Sequence, residues 1–219
     1  RQGLEEVGAG ADFFQTLTLP AGITHFSFQW ADRFFSVGGL GAQTNMNLAV
    51  FDMNGQFLAT SGGFTQNVGG DAVEVFSFNN TSGSPIQFQF AIGKESGPDP
   101  SVLKYVAFQP AGQTRFLVDE YATNSSTIYG HANAAGASAI GAALYSETPP
   151  YGVSPPQLQE YSSRGGTPIL YVNSVPLPMP QLRQSPDLVG PDGVNTTFFG
   201  QAAPLGGGGF EADGHPNFF

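Results

Sequence analysis

The sequence predicts a mainly β protein with an α/β part. An antiparallel, jelly-roll-like β-sandwich at residues 8–112 precedes an incomplete α/β segment at residues 113–219. Three observations predict this order. Aromatic and polar residues alternate along the first half, as they do in half-buried strands. The chain contains 30 Gly and 17 Pro, which favour turns and short strands over long helices. After about residue 113 small-residue and proline-rich stretches replace the alternation.

The predicted sandwich strands follow one another at short intervals. DFFQTLTLPAG and ITHFSFQW come first, and in the second Phe26, Phe28 and Trp30 share one face. NLAVFDMNGQFLAT predicts two strands around Asn54-Gly55, the strongest short hairpin signal. AVEVFSFNN, PIQFQFAIG and LKYVAF continue the series. About seven to nine strands of this kind are typical of a sandwich of roughly 100 residues, with the aromatics as its core.

The second segment differs from the first in composition and in residue pattern. NAAGASAIGAALY fits either a helix end or a close-packed buried strand. TPPYGVSPPQLQ and NSVPLPMPQLRQSP are interpreted as proline-rich connectors, and TPILYV, PDLVGP and VNTTFF as short apolar strands between them. Long connections are uncommon in a compact fold. We therefore expect elements outside this segment to complete it.

Composition and charge exclude several function classes. The net charge is −10, and the seven Lys and Arg residues are scattered singly. Without a basic stripe, nucleic acid and anionic membranes are poor partners. No run of 18 apolar residues predicts a membrane span. The absence of Cys excludes disulfides and thiolate metal sites. Low Lys content and acidity favour a secreted, extracellular bacterial protein.

The histidines and one serine are the first candidates for chemistry. His25 is expected on a polar strand face, and His131 and His215 in loops, without the spacing of a zinc site. Ser138 lies in GASAIG, which misses the G-x-S-x-G pattern of nucleophile elbows by one residue. We interpret Ser138 as part of a packed core. No complete catalytic constellation is present.

A metal site is the other kind of site considered. Glu211 and Asp213, in EADGHP, resemble part of a calcium loop but lack its further ligands. The alternative is a solvated acidic turn. Calcium is thus the one cofactor candidate, and the sequence does not require it.

Three motifs in residues 113–219 carry a resemblance. HANAAGASAIGAA resembles a core strand ending in V-G-A, here Ile140-Gly141-Ala142. YSSRGG resembles F-S-S-x-G, with Tyr161 for Phe. SPDLVGPDGVNT resembles K-P-D-[IL]-x-A-P-G, with Ser185 for Lys, Gly190 for Ala and an inserted Asp192. In this order and at this spacing they resemble subtilisin-like serine peptidases of the S8 family (subtilases).

The resemblance implies a Ser/His/Asp hydrolase with an oxyanion Asn. Its D-[ST]-G, H-G-T and G-T-S-x-A-x-P motifs do not occur in these residues, so we expect the chain alone to be inactive. The ends at Arg1 and Phe219 suggest a piece of a longer protein. Its partners would then be the remainder of the peptidase or a neighbouring copy, and a protein or peptide substrate.

The family's segment before V-G-A helps to wall the pocket for the substrate residue preceding the scissile bond. The resemblance therefore implies that one loop and one turn lie near the active site. The substrate-pocket candidates are Tyr129, Gly130, His131, Ser162, Ser163 and Arg164. The alternative for His131 is an ordinary loop histidine.

The first half resembles bacterial pre-peptidase C-terminal β-sandwiches. The likeness lies in the strand pattern and in NLAVFD, which fits [DN]-L-x-[VL]-[FY]-D. Such domains accompany secreted peptidases and are thought to serve secretion, localisation or substrate contact, and here the domain would be an insertion. The sequence thus predicts a fragment of a secreted endopeptidase. The alternative is a non-catalytic extracellular binding or structural module on a degenerate peptidase scaffold.

Overall fold

A computed structural model describes residues 12–62, 66–109, 115–123 and 125–195, and the backbone of 217–218. It is mainly β, as predicted, with antiparallel sheets. The chain divides into two compact units. Unit 1 comprises Arg1–Thr123 and Leu170–Met179, and unit 2 comprises Asn124–Ile169 and Pro180–Phe219. No helix in the described ranges is long and apolar enough to cross a membrane.

The elements are short throughout. The strands in chain order are β1 (Gln15–Leu19), β2 (Gly22–Trp30), β3 (Asn45–Phe51), β4 (Phe57–Thr60), β5 (Val73–Asn80), β6 (Ile86–Ser96), β7 (Leu103–Phe108), β8 (Leu117–Val118), β9 (Ile140–Leu144), β10 (Ile169–Val172), β11 (Val175–Gln181), β12 (Leu188–Asp192), β13 (Val194–Asn195) and β14 (Asn217–Phe218). Three 3-10 turns occupy Gly130–Asn133, Tyr145–Glu147 and Pro149–Tyr151.

Unit 1 contains two antiparallel sheets, in the orders β4-β3-β6-β1-β8 and β5-β2-β7. Alternation along β2 places Phe26, Phe28 and Trp30 on one face, and none of them is more than 4% exposed. The sheets share one core, in which the rings of Phe26 and Phe90 have centroids 5.2 Å apart. Burying a ring of this size stabilises a fold by roughly 1.5–3 kcal/mol. The aromatic pattern therefore forms the core that the sequence predicts.

The hairpin of β10 and β11 corrects one prediction. Its turn residues Asn173 and Ser174 have φ of 50° and 62°, as a two-residue I′ turn requires. Residues 175–181 were expected to be a proline-rich connector but form a strand. The prolines of VPLPMPQ occupy alternate positions, so they leave the N–H groups of one edge available for pairing.

Unit 2 is built around a parallel pair of strands. β9 lies beside β12 in register from Ile140 opposite Leu188 to Leu144 opposite Asp192. β13 pairs with β14 in antiparallel fashion, so the backbone of residues 217–218 is in a strand. The predicted α/β character is not supported, because the helical turns described in unit 2 are 3-10 turns of three or four residues. Prolines 149 and 150 restrict helix growth there.

Candidate functional site

A cavity in unit 2 brings three sequence segments together. Its volume is about 400 Å³. One wall comes from residues 127–129 and Ala132, the second from Ser138, Ala139, Ile140 and Ala142, and the third from Tyr161, Ser162 and Ser163. The second and third walls include residues of the first two peptidase-like motifs. We call this cavity the motif cavity.

Hydrogen bonds hold the walls in place. The Arg164 carbonyl accepts a 2.8 Å bond from the Thr127 N–H. The Ala142 N–H donates to Ser162 Oγ at 3.0 Å. The Gln159 N–H donates to the Ala142 carbonyl at 2.9 Å. The N–H and the carbonyl of Ala142 therefore fix β9 to Ser162 and to Gln159, just before the Tyr161–Ser163 turn.

The third motif is attached to the same strand. Asp187 Oδ2 accepts a 2.8 Å hydrogen bond from the Ala139 N–H. The Asp187 N–H in turn donates to the Ala139 carbonyl over 2.8 Å. This reciprocal pair leads into the parallel pairing of β9 with β12, so all three motifs contact one another.

Two glycines allow this close packing. A Cβ on Gly141 would lie 3.0 Å from Ser162 Oγ and 3.2 Å from Pro186 Cγ. A Cβ on Gly165 would lie 2.5 Å from the Ser185 carbonyl carbon. Real Cβ contacts are not that short, so a side chain at Gly165 would push the turn away from residue 185.

One tyrosine at the cavity is electrostatically perturbed. The Tyr161 hydroxyl donates a hydrogen bond to Asp192 Oδ2. This bond, with smaller effects of burial and of the Asp192 charge, raises the pKa of Tyr161 to about 12. Tyr161 is thus a protonated donor at neutral pH, linking the second motif to the end of β12.

The structure brings together half of the predicted pocket residues. Tyr129, Ser162 and Ser163 line the motif cavity. Gly130, His131 and Arg164 are exposed and are not among its lining residues. The backbone of Arg164 nevertheless fixes one wall, and Gly130 and His131 form the 3-10 turn after Tyr129.

The prediction that Ser138 is packed in the core is wrong. Ser138 is exposed and lines the motif cavity. The reason is that the small residues before Ala139 form a turn, so burial begins at Ala139 and β9 begins at Ile140, whose own side chain is exposed. Small side chains tolerate both environments, so the run alone does not distinguish them.

The described hydroxyls lack a catalytic base. Within the described ranges, no hydrogen bond of Ser138, Ser162 or Ser163 involves a histidine or a carboxylate. His25, in unit 1, is exposed on β2 with Nδ1 2.7 Å from Ser77 Oγ. A serine nucleophile needs an adjacent base. The motif cavity can therefore bind and position a ligand but does not contain a complete triad.

The predicted metal ligands cannot be placed. Glu211 and Asp213 lie outside the described residues, as does His215. In the part of the chain that the structure describes, no three His, Asp or Glu side chains are grouped to hold a metal ion.

Sequence reasoning missed a larger cavity in unit 2. It has a volume of about 520 Å³ at the ends of β9 and β12. Its walls include Tyr145, Thr148, Pro149, Pro150, Tyr151, Pro156, Val189 and Gly190. The rings of Tyr145 and Tyr151 pack edge to face, with centroids 5.5 Å apart. The sequence signal for this cavity is the proline- and tyrosine-rich TPPYGVSPPQLQ, which the pattern alone indicates only as a connector.

Comparison with known proteins adds no assignment. No family model, curated protein or solved structure matches the chain. The function must be inferred from the residues and their geometry.

Proposed function

We propose that this chain is part of a secreted bacterial serine endopeptidase of the subtilisin-like type. In such an enzyme a Ser attacks the peptide carbonyl, a His takes its proton, an Asp orients the His, and an Asn with backbone N–H groups stabilises the oxyanion. These groups would come from outside residues 1–219. Unit 2 would contribute a wall of the substrate pocket, and unit 1 an inserted sandwich.

The supporting observation is that the three motif segments contact one another. β9 and β12 pair in parallel, and Ser162 hydrogen-bonds to the N–H of Ala142. Neither arrangement was needed to recognise the motifs in the sequence. Contacts of this kind are what the proposal expects of three motifs from one peptidase segment.

Within this proposal the motif cavity receives a substrate side chain. Tyr129 offers an exposed ring, and Ser138 and Ser163 offer exposed hydroxyls beside it. Such groups select by shape and hydrogen bonding rather than by charge. The cavity should therefore affect which residue precedes the scissile bond more than the rate of the chemical step.

The first test concerns the complete gene product. We expect the reading frame to continue beyond the codon for Phe219 into G-T-S-x-A-x-P, and the full product to react with a fluorophosphonate at that Ser. The 219-residue chain alone should remain unlabelled. Stoichiometric labelling of Ser138 or of another Ser in this chain would contradict the proposal. A full product that is never labelled would favour the non-catalytic extracellular module.

The second test concerns the pocket. Tyr129→Ala in the full product should change the ratio of kcat/KM between large and small substrate side chains by about tenfold, because one hydrophobic contact is worth roughly 1–3 kcal/mol in discrimination. Tyr121→Ala in unit 1 is the matched control and should leave the ratio unchanged. An equal loss of activity on all substrates would indicate that Tyr129 has only a structural role.

A further inference from the structure

A group of polar side chains, most of them buried, lies in unit 1, far along the sequence from the peptidase-like motifs. It consists of Asn45, Asn47, Asn67, Glu74 and Glu95, which we call the amide–carboxylate cluster. The two sheets supply four members, with Asn45 and Asn47 on β3, Glu95 on β6 and Glu74 on β5, and Asn67 lies between β4 and β5. Four of the five are at most 8% exposed, and Glu95 is exposed.

A β-bulge directs Glu95 into this cluster. On β6, Ser96 pairs with Asn45 while Lys94 pairs with Met46, so Glu95 is the extra residue. Bulges re-aim side chains and are common beside functional sites. Lys94 forms its ion pair with Asp99.

Hydrogen bonds join Asn45, Asn47 and Glu95 through their side chains and Asn67 through its backbone. Asn45 Nδ2 donates to Glu95 Oε2 at 2.7 Å, and Asn47 Nδ2 donates to Glu95 Oε1 at 2.5 Å. The Asn67 backbone N–H donates to Asn45 Oδ1 at 3.2 Å. The Asn67 amide Nδ2 donates to the carbonyls of Asp71 and Val73 at 3.3 Å and 3.2 Å, directly before Glu74 in the chain.

Three side-chain oxygens of this cluster lack a hydrogen-bond partner. Asn47 Oδ1, Asn67 Oδ1 and Glu74 Oε1 are buried and have no hydrogen-bond donor among the described residues. Their residues are 8%, 5% and 4% exposed, respectively. Buried polar atoms are nearly always paired. Three unpaired oxygen acceptors in one cluster point to a missing hydrogen-bond donor or cation rather than to a missing acceptor.

The cluster also holds two carboxylates with the same charge. Burial raises the pKa of Glu74, and the charge of Glu95 raises it further, while the hydrogen bond from Asn67 opposes the shift. Glu95 is exposed, so the unfavourable charge is that of the buried Glu74 carboxylate, which a cation or a proton would neutralise.

We propose that the amide–carboxylate cluster is a binding site for a hard divalent cation, and for Ca²⁺ in preference to Mg²⁺. Carboxylate and amide oxygens are the ligands that Ca²⁺ takes, in flexible six- to eight-fold geometry. Mg²⁺ needs a near-ideal octahedron and keeps several waters, which a site of five side chains from separate segments, four of them buried, suits less well. Because no three carboxylates or histidines are grouped in the described chain, the Asn oxygens must supply the remaining ligands.

The site would join the two sheets at one end of unit 1. It connects the start of β3 and the bulge of β6 in one sheet with Glu74 of β5 in the other. A cation bound only by the folded state stabilises that state in proportion to the logarithm of its concentration. Calcium would therefore act as a structural link in unit 1, independently of any peptidase activity.

The direct test uses the 219-residue chain after treatment with EDTA. Titration with CaCl₂ in a calorimeter should show a binding event, and millimolar Ca²⁺ should raise the melting temperature of unit 1 by at least about 5 °C. MgCl₂ at the same concentration should raise it less. Glu74→Gln and Glu95→Gln should each abolish the shift. Asp119→Asn removes one exposed carboxylate after β8, so it is the charge-matched control and should keep the full shift.

A second variant keeps the test decisive if the Gln variants fold poorly. Asn47→Asp adds a carboxylate beside Glu95, so it should melt at a lower temperature than the wild type in EDTA and show a larger Ca²⁺-dependent rise. A wild-type chain that neither binds Ca²⁺ nor shifts would overturn the proposal. So would a shift that survives both Gln substitutions, since the ion would then be bound elsewhere, for example at Glu211 and Asp213. Neither result would bear on the fluorophosphonate test.

Discussion

The backbone at Gly165 leaves no room for a methyl group, which makes Gly165→Ala a sharp test of how unit 2 is packed. An added Cβ would lie 2.5 Å from the carbonyl carbon of Ser185 and 2.7 Å from its Cβ. The obstructing atoms belong to or adjoin the backbone, so they cannot rotate away. Overpacking of this kind costs roughly 1–3 kcal/mol, and we expect the upper end of that range.

The consequence should extend to the motif cavity. Moving the turn at Gly165 away from Ser185 displaces the neighbouring Arg164 carbonyl, which accepts the N–H of Thr127. For a domain of about 100 residues, about 3 kcal/mol lowers the melting temperature by at least roughly 10 °C. Hydrogen exchange of the β9 amides should accelerate as the opening free energy of unit 2 falls.

The assay is differential scanning calorimetry combined with hydrogen-exchange mass spectrometry of peptides that cover β9. Gly136→Ala is the matched control, because a Cβ there meets no atom within 4 Å and φ is not positive. Its melting temperature should stay within about 2 °C of the wild type, since a compatible Gly→Ala change is neutral or slightly stabilising. Trp30 is the single tryptophan and lies in the unit 1 core, so its fluorescence reports separately on the sandwich.

Equal behaviour of the two variants would refute the reasoning. If Gly165→Ala has the same melting temperature as Gly136→Ala, and the β9 amides exchange at the wild-type rate, then the turn and Ser185 are not packed as described. The contact between the second and third motifs would then be absent, and the proposed peptidase architecture would lose part of its support.

Three further predictions follow from the described contacts. Phe26→Ala should destabilise unit 1 by about 3–5 kcal/mol in urea unfolding followed by tryptophan fluorescence, because the ring is central to the shared core. Burial raises the pKa of Glu74, so in EDTA the folded state binds more protons than the unfolded state between the ordinary and the raised pKa. The free energy of unfolding should therefore rise as pH falls through that window. Glu74→Gln should flatten this slope, and an unchanged slope would exclude Glu74 as its source. In alkaline absorbance titrations Asp192→Asn should lower the pKa of Tyr161 from about 12, whereas Tyr105, whose pKa is raised to about 12 by burial, should not change.

The strands of unit 1 were predictable because their pattern is local. In β2 the period of two residues places three aromatics on one side and polar residues on the other, and only a strand satisfies both. The Asn54-Gly55 turn is likewise local, because Gly55 has a φ of 78° and Asp52 Oδ1 accepts the N–H groups of Asn54 and Gln56. What the pattern did not contain was the bulge at Glu95, because an extra residue is defined by the partner strand and not by its own neighbours.

Unit 2 was less predictable because its structure depends on distant contacts. The same holds for the strand in VPLPMPQ, most of which belongs to unit 1: its alternate prolines leave one edge free, which propensity arguments on single residues do not detect. Ser138 and the motif cavity depend on which of several small residues begins the buried strand. Asp187, 48 positions away in the sequence, fixes the start of this strand through two hydrogen bonds to the backbone of Ala139.

The geometry at Ser162 also explains why the motif cavity should bind without reacting. Its Oγ accepts a hydrogen bond from the Ala142 N–H, which engages a lone pair that a nucleophile needs. No described histidine or carboxylate hydrogen-bonds to it, so its proton has no acceptor of suitable basicity. A Cβ on Gly141 would lie 3.0 Å from Oγ, so the hydroxyl packs closely against that glycine. A serine held in this way is suited to fixing β9 against the Tyr161–Ser163 turn. An unlabelled 219-residue chain is therefore expected from local geometry as well as from the missing triad motifs.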